Sequence, residues 1–160
     1  MENLQIINEG LRFPEGPIAM DDGSVILVEI VRGTLTRCWK GKTEVIATLG
    51  GGPNGAAIGP DGAVYVCNNG GFTYLERNGL TIPTGTPDDY SGGRIERVNL
   101  STGKVERVYD RCSDFELRGP NDIVFDKAGG FWFTDFGKDF PRQRDKSGLY
   151  YARPDGSKIT

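Results

Sequence analysis

Gly52-Pro53-Asn54-Gly55-Ala56-Ala57-Ile58-Gly59-Pro60-Asp61-Gly62-Ala63-Val64-Tyr65-Val66 returns later in the chain as Gly119-Pro120-Asn121-Asp122-Ile123-Val124-Phe125-Asp126, running on to Gly130-Phe131-Trp132-Phe133. A more divergent copy, Phe13-Pro14-Glu15-Gly16-Pro17-Ile18 followed by Asp22-Gly23-Ser24-Val25-Ile26-Leu27, precedes both. Three units therefore carry a polar residue directly after a proline: Glu15, Asn54 and Asn121. Repetition of this kind decides the fold before any single element does, because each unit has to bury itself against its neighbours.

A second module follows each copy. Gly33-Thr34-Leu35-Thr36-Arg37, Gly93-Arg94-Ile95-Glu96-Arg97 and Gly148-Leu149-Tyr150-Tyr151-Ala152 each lead to a turn containing glycine, at Gly41, Gly103 and Gly156. Every unit reads as four short strands. The spacing of Pro14, Pro53 and Pro120 is uneven, and the surplus lies between Cys67 and Gly92, where Asn68-Asn69-Gly70-Gly71 and Pro83-Thr84-Gly85-Thr86-Pro87-Asp88-Asp89 read as turn chemistry without strand alternation. Four antiparallel strands in roughly 40 residues is the size of a β-propeller blade.

The apolar triplets Val64-Tyr65-Val66, Ile123-Val124-Phe125 and Phe131-Trp132-Phe133 are β-branched or aromatic, bounded by Gly, Asp and Pro, and nowhere does an apolar stripe at helical spacing run long enough for a helix. The chain is read as all-β, with about three four-stranded blades spanning 12–49, 50–111 and 112–160. Residues 1–11 are left as a ring-closing segment, its strand at Leu4-Gln5-Ile6-Ile7. Uninterrupted apolar runs predict strands covered on both faces, as in stacked blades.

A net charge of −3 supplies no basic stripe for a phosphate backbone, so nucleic acid is not an expected partner. No apolar segment is long enough to span a bilayer, and the first residues lack the basic start and apolar core of a signal peptide, which makes the cytoplasm the expected compartment. Cys38, Cys67 and Cys112 are widely spaced and odd in number, and are read as free buried thiols.

There is no histidine. Within this chain that excludes Ser-His-Asp and Cys-His nucleophile systems and imidazole ligands. Carboxylate and amide oxygens are hard ligands, suited to calcium or magnesium before zinc, with borderline metals able to enter an open oxygen site. Proline can open a strand but not sit inside a paired central one. In a propeller the first strand of each blade lines the channel, so Glu15, Asn54 and Asn121 would form a ring at one mouth and converge on one cation. The competing reading makes Asn54 and Asn121 ordinary turn residues. Asn68, Asn69 and Asp135, at the exits of the second strands, are further channel candidates or strand caps. Asp22, Asp61 and Asp126 are turn residues, and the run from Arg142 to Lys146 is a solvated loop.

Phe13-Pro14-Glu15-Gly16-Pro17, together with Gly119-Pro120-Asn121-Asp122-Ile123-Val124-Phe125-Asp126 and Phe131-Trp132-Phe133-Thr134-Asp135, resembles the amino-terminal half of the gluconolactonase, senescence-marker-protein and luciferin-regenerating-enzyme group. The resemblance implies a six-bladed propeller whose channel holds a divalent cation, calcium foremost, with magnesium, manganese or zinc as other occupants. It assigns Glu15 as the first-blade metal ligand and Asn121 as a second, and implies a substrate contact for Arg118, whose alternative is a solvated loop arginine; Asn54, in the second blade, is taken as a channel residue that would contact substrate. The remaining asparagine and aspartate ligands, and the general base, would lie beyond Thr160. The implied activity is metal-dependent opening of a sugar lactone or similar cyclic ester. A non-catalytic propeller that binds a small molecule or partner around a structural cation is the alternative. The ring would be closed by further residues of a longer protein, which is the favoured reading, by a complementary propeller half, or by a second copy of the chain.

Overall fold

The computed structural model describes residues 5–160 and builds them from strands and turns alone. The first sheet is a four-stranded antiparallel meander of β1 (Pro14–Ala19), β2 (Val25–Glu29), β3 (Thr34–Trp39) and β4 (Lys42–Thr48). The second contains β5 (Pro53–Ile58) and β6 (Val64–Asn68), then a projecting hairpin of β7 (Thr73–Arg77) and β8 (Leu80–Gly85), then β9 (Arg94–Val98) and β10 (Val105–Tyr109). Its order is β10-β9-β6-β5, the same meander with the hairpin inserted. A short ribbon of β11 (Arg111–Cys112) and β12 (Phe115–Glu116) leads to the third sheet. That sheet pairs β13 (Pro120–Phe125), β14 (Phe131–Asp135) and β17 (Gly148–Ala152), with the ribbon of β15 (Asp139–Phe140) and β16 (Gln143–Arg144) between the last two.

The expected four strands per unit hold for the first two sheets. The third has three, and its outer edge carries a bridge between Ala152 and Ile159 with reciprocal backbone bonds between Tyr151 and Thr160. The surplus segment differs more. Its Gly- and Pro-rich turns predict no strand, yet it contains β7 and β8, because Asn78 and Gly79 both take positive φ (54° and 75°) and close a tight hairpin. In the expected ring-closing segment, Leu4 lies outside the described residues and Gln5–Ile7 form no strand. The Ile7 carbonyl accepts from Gly41 N–H at the β3–β4 turn.

Two apolar layers join the sheets. Ile26, Val28 and Leu35 of the first meet Val64, Val66 and Val98 of the second. On the opposite face of the second sheet Tyr65, Cys67 and Ile95 meet Phe131, Phe133 and Ile123 of the third. So β6 is buried along its whole length, as its apolar run predicts. β14 alternates instead: Phe131 and Phe133 are buried, whereas Trp132 packs at a tilt against Tyr151 on an open outer face.

One irregularity recurs in each of the three larger sheets. Between Glu15 and Ile18, between Pro53 and Ala56, and between Pro120 and Ile123, the innermost strand carries one residue more than its partner. Such bulges bend the strand and re-aim side chains. Here they fall at the residues after each proline. The bent inner strands also crowd one another, for a Cβ on Gly55 would lie 2.5 Å from the Asn121 carbonyl oxygen and 2.6 Å from Asp122 Cα. Gly55→Ala is therefore expected to cost about 2–3 kcal/mol by overpacking, read as a lower urea midpoint. Gly62→Ala, whose Cβ meets nothing within 4 Å, should cost less despite its positive φ. Equal midpoints for the two variants would contradict the close approach.

Candidate functional site at the inner-strand mouth

The bulged strands deliver Glu15 from β1, Asn54 from β5 and Asn121 from β13 to one groove. A cavity of about 340 Å³ is bordered by all three, with Asp122, Phe72 and Pro83. It adjoins a second of about 290 Å³ that shares Asn54, Asn121, Phe72 and Pro83 and extends to Asn69, Lys138 and Arg144. Asn54 Nδ2 donates to Asn121 Oδ1 at 3.0 Å, tying the second sheet to the third at the mouth. That bond orients the Asn121 carbonyl oxygen and leaves it a second lone pair. Glu15 is exposed to the groove.

What holds these residues in place is a repeated buried clasp. The last residue of each second strand pairs across from the proline: Glu29 with Pro14, Asn68 with Pro53 and Asp135 with Pro120. Each is buried and accepts N–H groups from the loop entering the inner strand. Glu29 Oε2 takes Arg12 N–H (2.7 Å), and Asn68 Oδ1 takes Gly52 N–H (3.0 Å). Asp135 takes Arg118 and Gly119 N–H (2.8 and 2.6 Å) as well as Gly137 N–H (2.8 Å). Asn68 and Asp135 thus serve as strand caps, which satisfy otherwise orphaned donors beside residues that lack an N–H. Asn68 also donates to Glu96 Oε2 (2.9 Å), which with Arg94 forms a buried pair at 2.6 Å.

Arg118 is not brought to this groove. Its backbone is held by Asp135, and its side chain turns towards Glu116 (3.2 Å) and Asp145 (3.8 Å). Asp22, Asp61 and Asp126 accept turn N–H groups, as read. Cys38 and Cys67 are buried free thiols, raised by desolvation and so poor nucleophiles, while Cys112 is only part-buried. In the run from Arg142 to Lys146, Gln143 and Arg144 form β16, and Asp145 accepts Lys138 N–H at 3.2 Å.

Among the described residues no three His, Cys, Asp or Glu side chains gather to hold an ion. An oxygen site here would have to combine the Glu15 carboxylate with the asparagine carbonyls and Asp122. Those are hard donors of the kind calcium and magnesium take, and they fit part of a six- to eight-oxygen shell. Asp122 escaped the sequence reading, although it stands where the first two copies have Gly16 and Gly55.

Two further groove residues are Asn69, which the sequence offered as a channel candidate or strand cap, and Lys138, which no motif singled out. Asn69 is buried, with Oδ1 accepting from Gly71 N–H (2.9 Å) and Lys138 Nζ (3.2 Å). Lys138 is 3% exposed, donates to Gly71 O at 2.6 Å, and sits 4.0 Å from the Phe72 ring centroid. Burial pushes its ammonium down to about 8, with Asp135 pulling the other way.

A family model described as SMP-30/Gluconolactonase/LRE-like region matches residues 13–160. Lactonase drp35 of Staphylococcus saprophyticus is 30% identical over 98% of this chain and 43% of its own length. A gluconolactonase of Zymomonas mobilis is 22% identical over 96% and 43%. The solved structure of a gluconolactonase from Xanthomonas campestris superposes with a TM-score of 0.66 at 20% identity, over 93% of this chain and 46% of that one. The chain spans less than half the length of the relatives it matches. The last likeness supports the fold alone, and that fold is the β-propeller.

Lys138 gives stability a pH dependence of definite sign. Its folded value lies below the ordinary 10.5, so between the two the unfolded chain binds more protons and stability rises with pH. Raising the pH from 7 to 9 should add about 1 kcal/mol through this group. Denaturant melts of wild type and Lys138→Met at both values check it, and the variant should lack the rise. Parallel behaviour of the two proteins would contradict the buried charge.

Proposed function

The chain belongs to the SMP-30/Gluconolactonase/LRE-like family, and on that footing we propose that it supplies part of the channel of a hydrolase opening a sugar lactone or similar cyclic ester. The observation that carries this reading is the meeting of Glu15, Asn54 and Asn121, from three successive sheets, at one groove. The lactonase and gluconolactonase relatives support the substrate class.

Glu15 and Asn121 would hold a divalent cation, calcium foremost, with further oxygens from outside these residues. When bound, such an ion supplies Lewis-acid polarisation of an ester carbonyl. The chain's own part is positional. Asn54 fixes the Asn121 amide so that its free lone pair and the Glu15 carboxylate face the same space. Phe72 and Pro83 wall that space with apolar surface, which narrows the access of water and strengthens polar contacts within it. Asn54 borders both cavities and would meet substrate oxygens there. Lacking imidazole, the groove offers carboxylates as proton acceptors, and the general base is assigned to the remainder of the channel. Further residues of a longer protein, a complementary propeller half or a second copy would provide that remainder.

The test is alkalimetric titration of D-glucono-1,5-lactone opening by the full-length protein. Acid release should be suppressed by a chelator, and Glu15→Gln should lower kcat/KM by roughly 100-fold. Chelator-insensitive turnover, unchanged in the variant, would refute the assignment. Ligand binding without turnover would favour a non-catalytic propeller.

A further inference from the structure

The groove ends in a buried ammonium that makes no direct salt bridge among the described residues, with Asp135 the carboxylate that offsets its burial from a distance. Lys138 Nζ bonds only to neutral acceptors, Gly71 O and Asn69 Oδ1, which use two of its three N–H groups. The carboxylates around it are engaged elsewhere. Asp135 receives backbone N–H groups, Asp139 pairs with Arg144 at 2.9 Å, and Asp145 lies nearest Arg118 among cationic side chains. An unpaired buried charge is costly, so a site that keeps one has a use for an anion.

A second observation points into the same space. Asn69 Oδ1 is met by two donors, so turning the amide over would set donor against donor, and its orientation is fixed. Asn69 Nδ2 is consequently left with no partner among the described residues, although the side chain is buried. Such a group needs an acceptor oxygen. Asn69, with its unpartnered Nδ2, and Lys138, whose Nζ has two acceptors and the Phe72 ring, both border the cavity of about 290 Å³, which Asn54 and Asn121 also line.

We propose that Asn69 and Lys138 form a subsite for a carboxylate, so that the preferred ligand is a sugar-sized molecule bearing an anionic group away from the carbonyl that faces Glu15 and Asn121. This rests on the lactone-opening reading for the opposite end of the groove and narrows its substrate class to acidic lactones. One buried ammonium and one amide N–H match a monoanion with two oxygens better than a dianionic phosphate. The Phe72 ring, Gly119 and Phe136 give part of the wall an apolar surface beside these donors, and the Asp139–Arg144 ion pair lines the rest as a mutually neutralised pair.

D-glucuronate and D-glucose test the subsite directly, because they differ only in a carboxylate against a hydroxymethyl group. Calorimetry is run on the full chain at pH 7 with chelator present, so neither turnover nor a metal enters the readout. Glucuronate is expected to bind at least tenfold tighter than glucose to wild type. Lys138→Met and the isosteric Asn69→Asp should each remove that preference. The comparison on wild type needs no variant, so a variant that fails to fold leaves it decisive. Equal affinity for the two sugars, a preference surviving in folded Lys138→Met, or tighter binding of glucose 6-phosphate than of glucuronate would overturn the proposal. Loss of lactone turnover with this preference intact would remove the hydrolase reading alone.

Discussion

Everything at the mouth depends on how closely the three inner strands approach one another. A side chain on Gly16 would meet Ala56 N at 2.6 Å, and one on Gly55 would meet the Asn121 carbonyl at 2.5 Å. Backbones this close leave no room for a Cβ between sheets, so side chains after the prolines must leave the interface. The bulges give them that exit, adding one residue to each inner strand where the crowding is greatest. Convergence of Glu15, Asn54 and Asn121 is thus a by-product of tight packing. The Asn54–Asn121 bond then fixes the outcome across the second and third sheets.

Tight packing also explains the buried polar residue opposite each proline. Proline contributes no donor, and the two residues before it enter from a loop whose N–H groups face the interior. Glu29, Asn68 and Asp135 supply the missing acceptors, each in its own way. The first also binds Arg32, Thr36 and, through its carboxylate, the Arg12 backbone, while the second joins the Arg94–Glu96 pair. Aromatic packing supports the third, with Phe131 against Tyr65 and Phe133 stacked on Tyr150. Inner-strand geometry is over-determined from behind, so the groove can leave Asn69 Nδ2 without a partner at no cost to the strands.

Much of this was legible in the sequence because repetition reveals equivalence without distances. The Pro-Asn-Gly and Pro-Asn-Asp copies located the inner strands, and Val64-Tyr65-Val66 announced a strand covered on both faces. The hairpin of β7 and β8 was missed although Asn78-Gly79 states it, because Gly and Pro on either side dominated the reading. Arg118 stood near Asn121 in sequence and drew a role there. The Asp135 clasp holds its backbone, so three residues of separation become opposite sides of a loop. Sequence proximity fails wherever a strand begins with a bulge, since each residue there turns to a new side.

Lys138 marks the deeper limit. A Gly-Lys-Asp run between strands has the composition of a solvated turn, and nothing local distinguishes a lysine that folds inward. Its burial is decided by residues far along the chain: Phe72 and Tyr90 from the loop that carries β7 and β8, Gly71 from the same loop, and Asn69 from the end of β6. Those contacts desolvate the ammonium without neutralising it, while Asn69 spends its only acceptor on the arrangement and strands its own N–H groups. Structural need alone would have favoured a methionine or leucine in so apolar a pocket, since either would pack without the cost of an unpaired charge. The cost is intelligible when the groove is regarded as incomplete until an acceptor oxygen enters, and the insertion that lengthens the second unit is what builds the wall behind it.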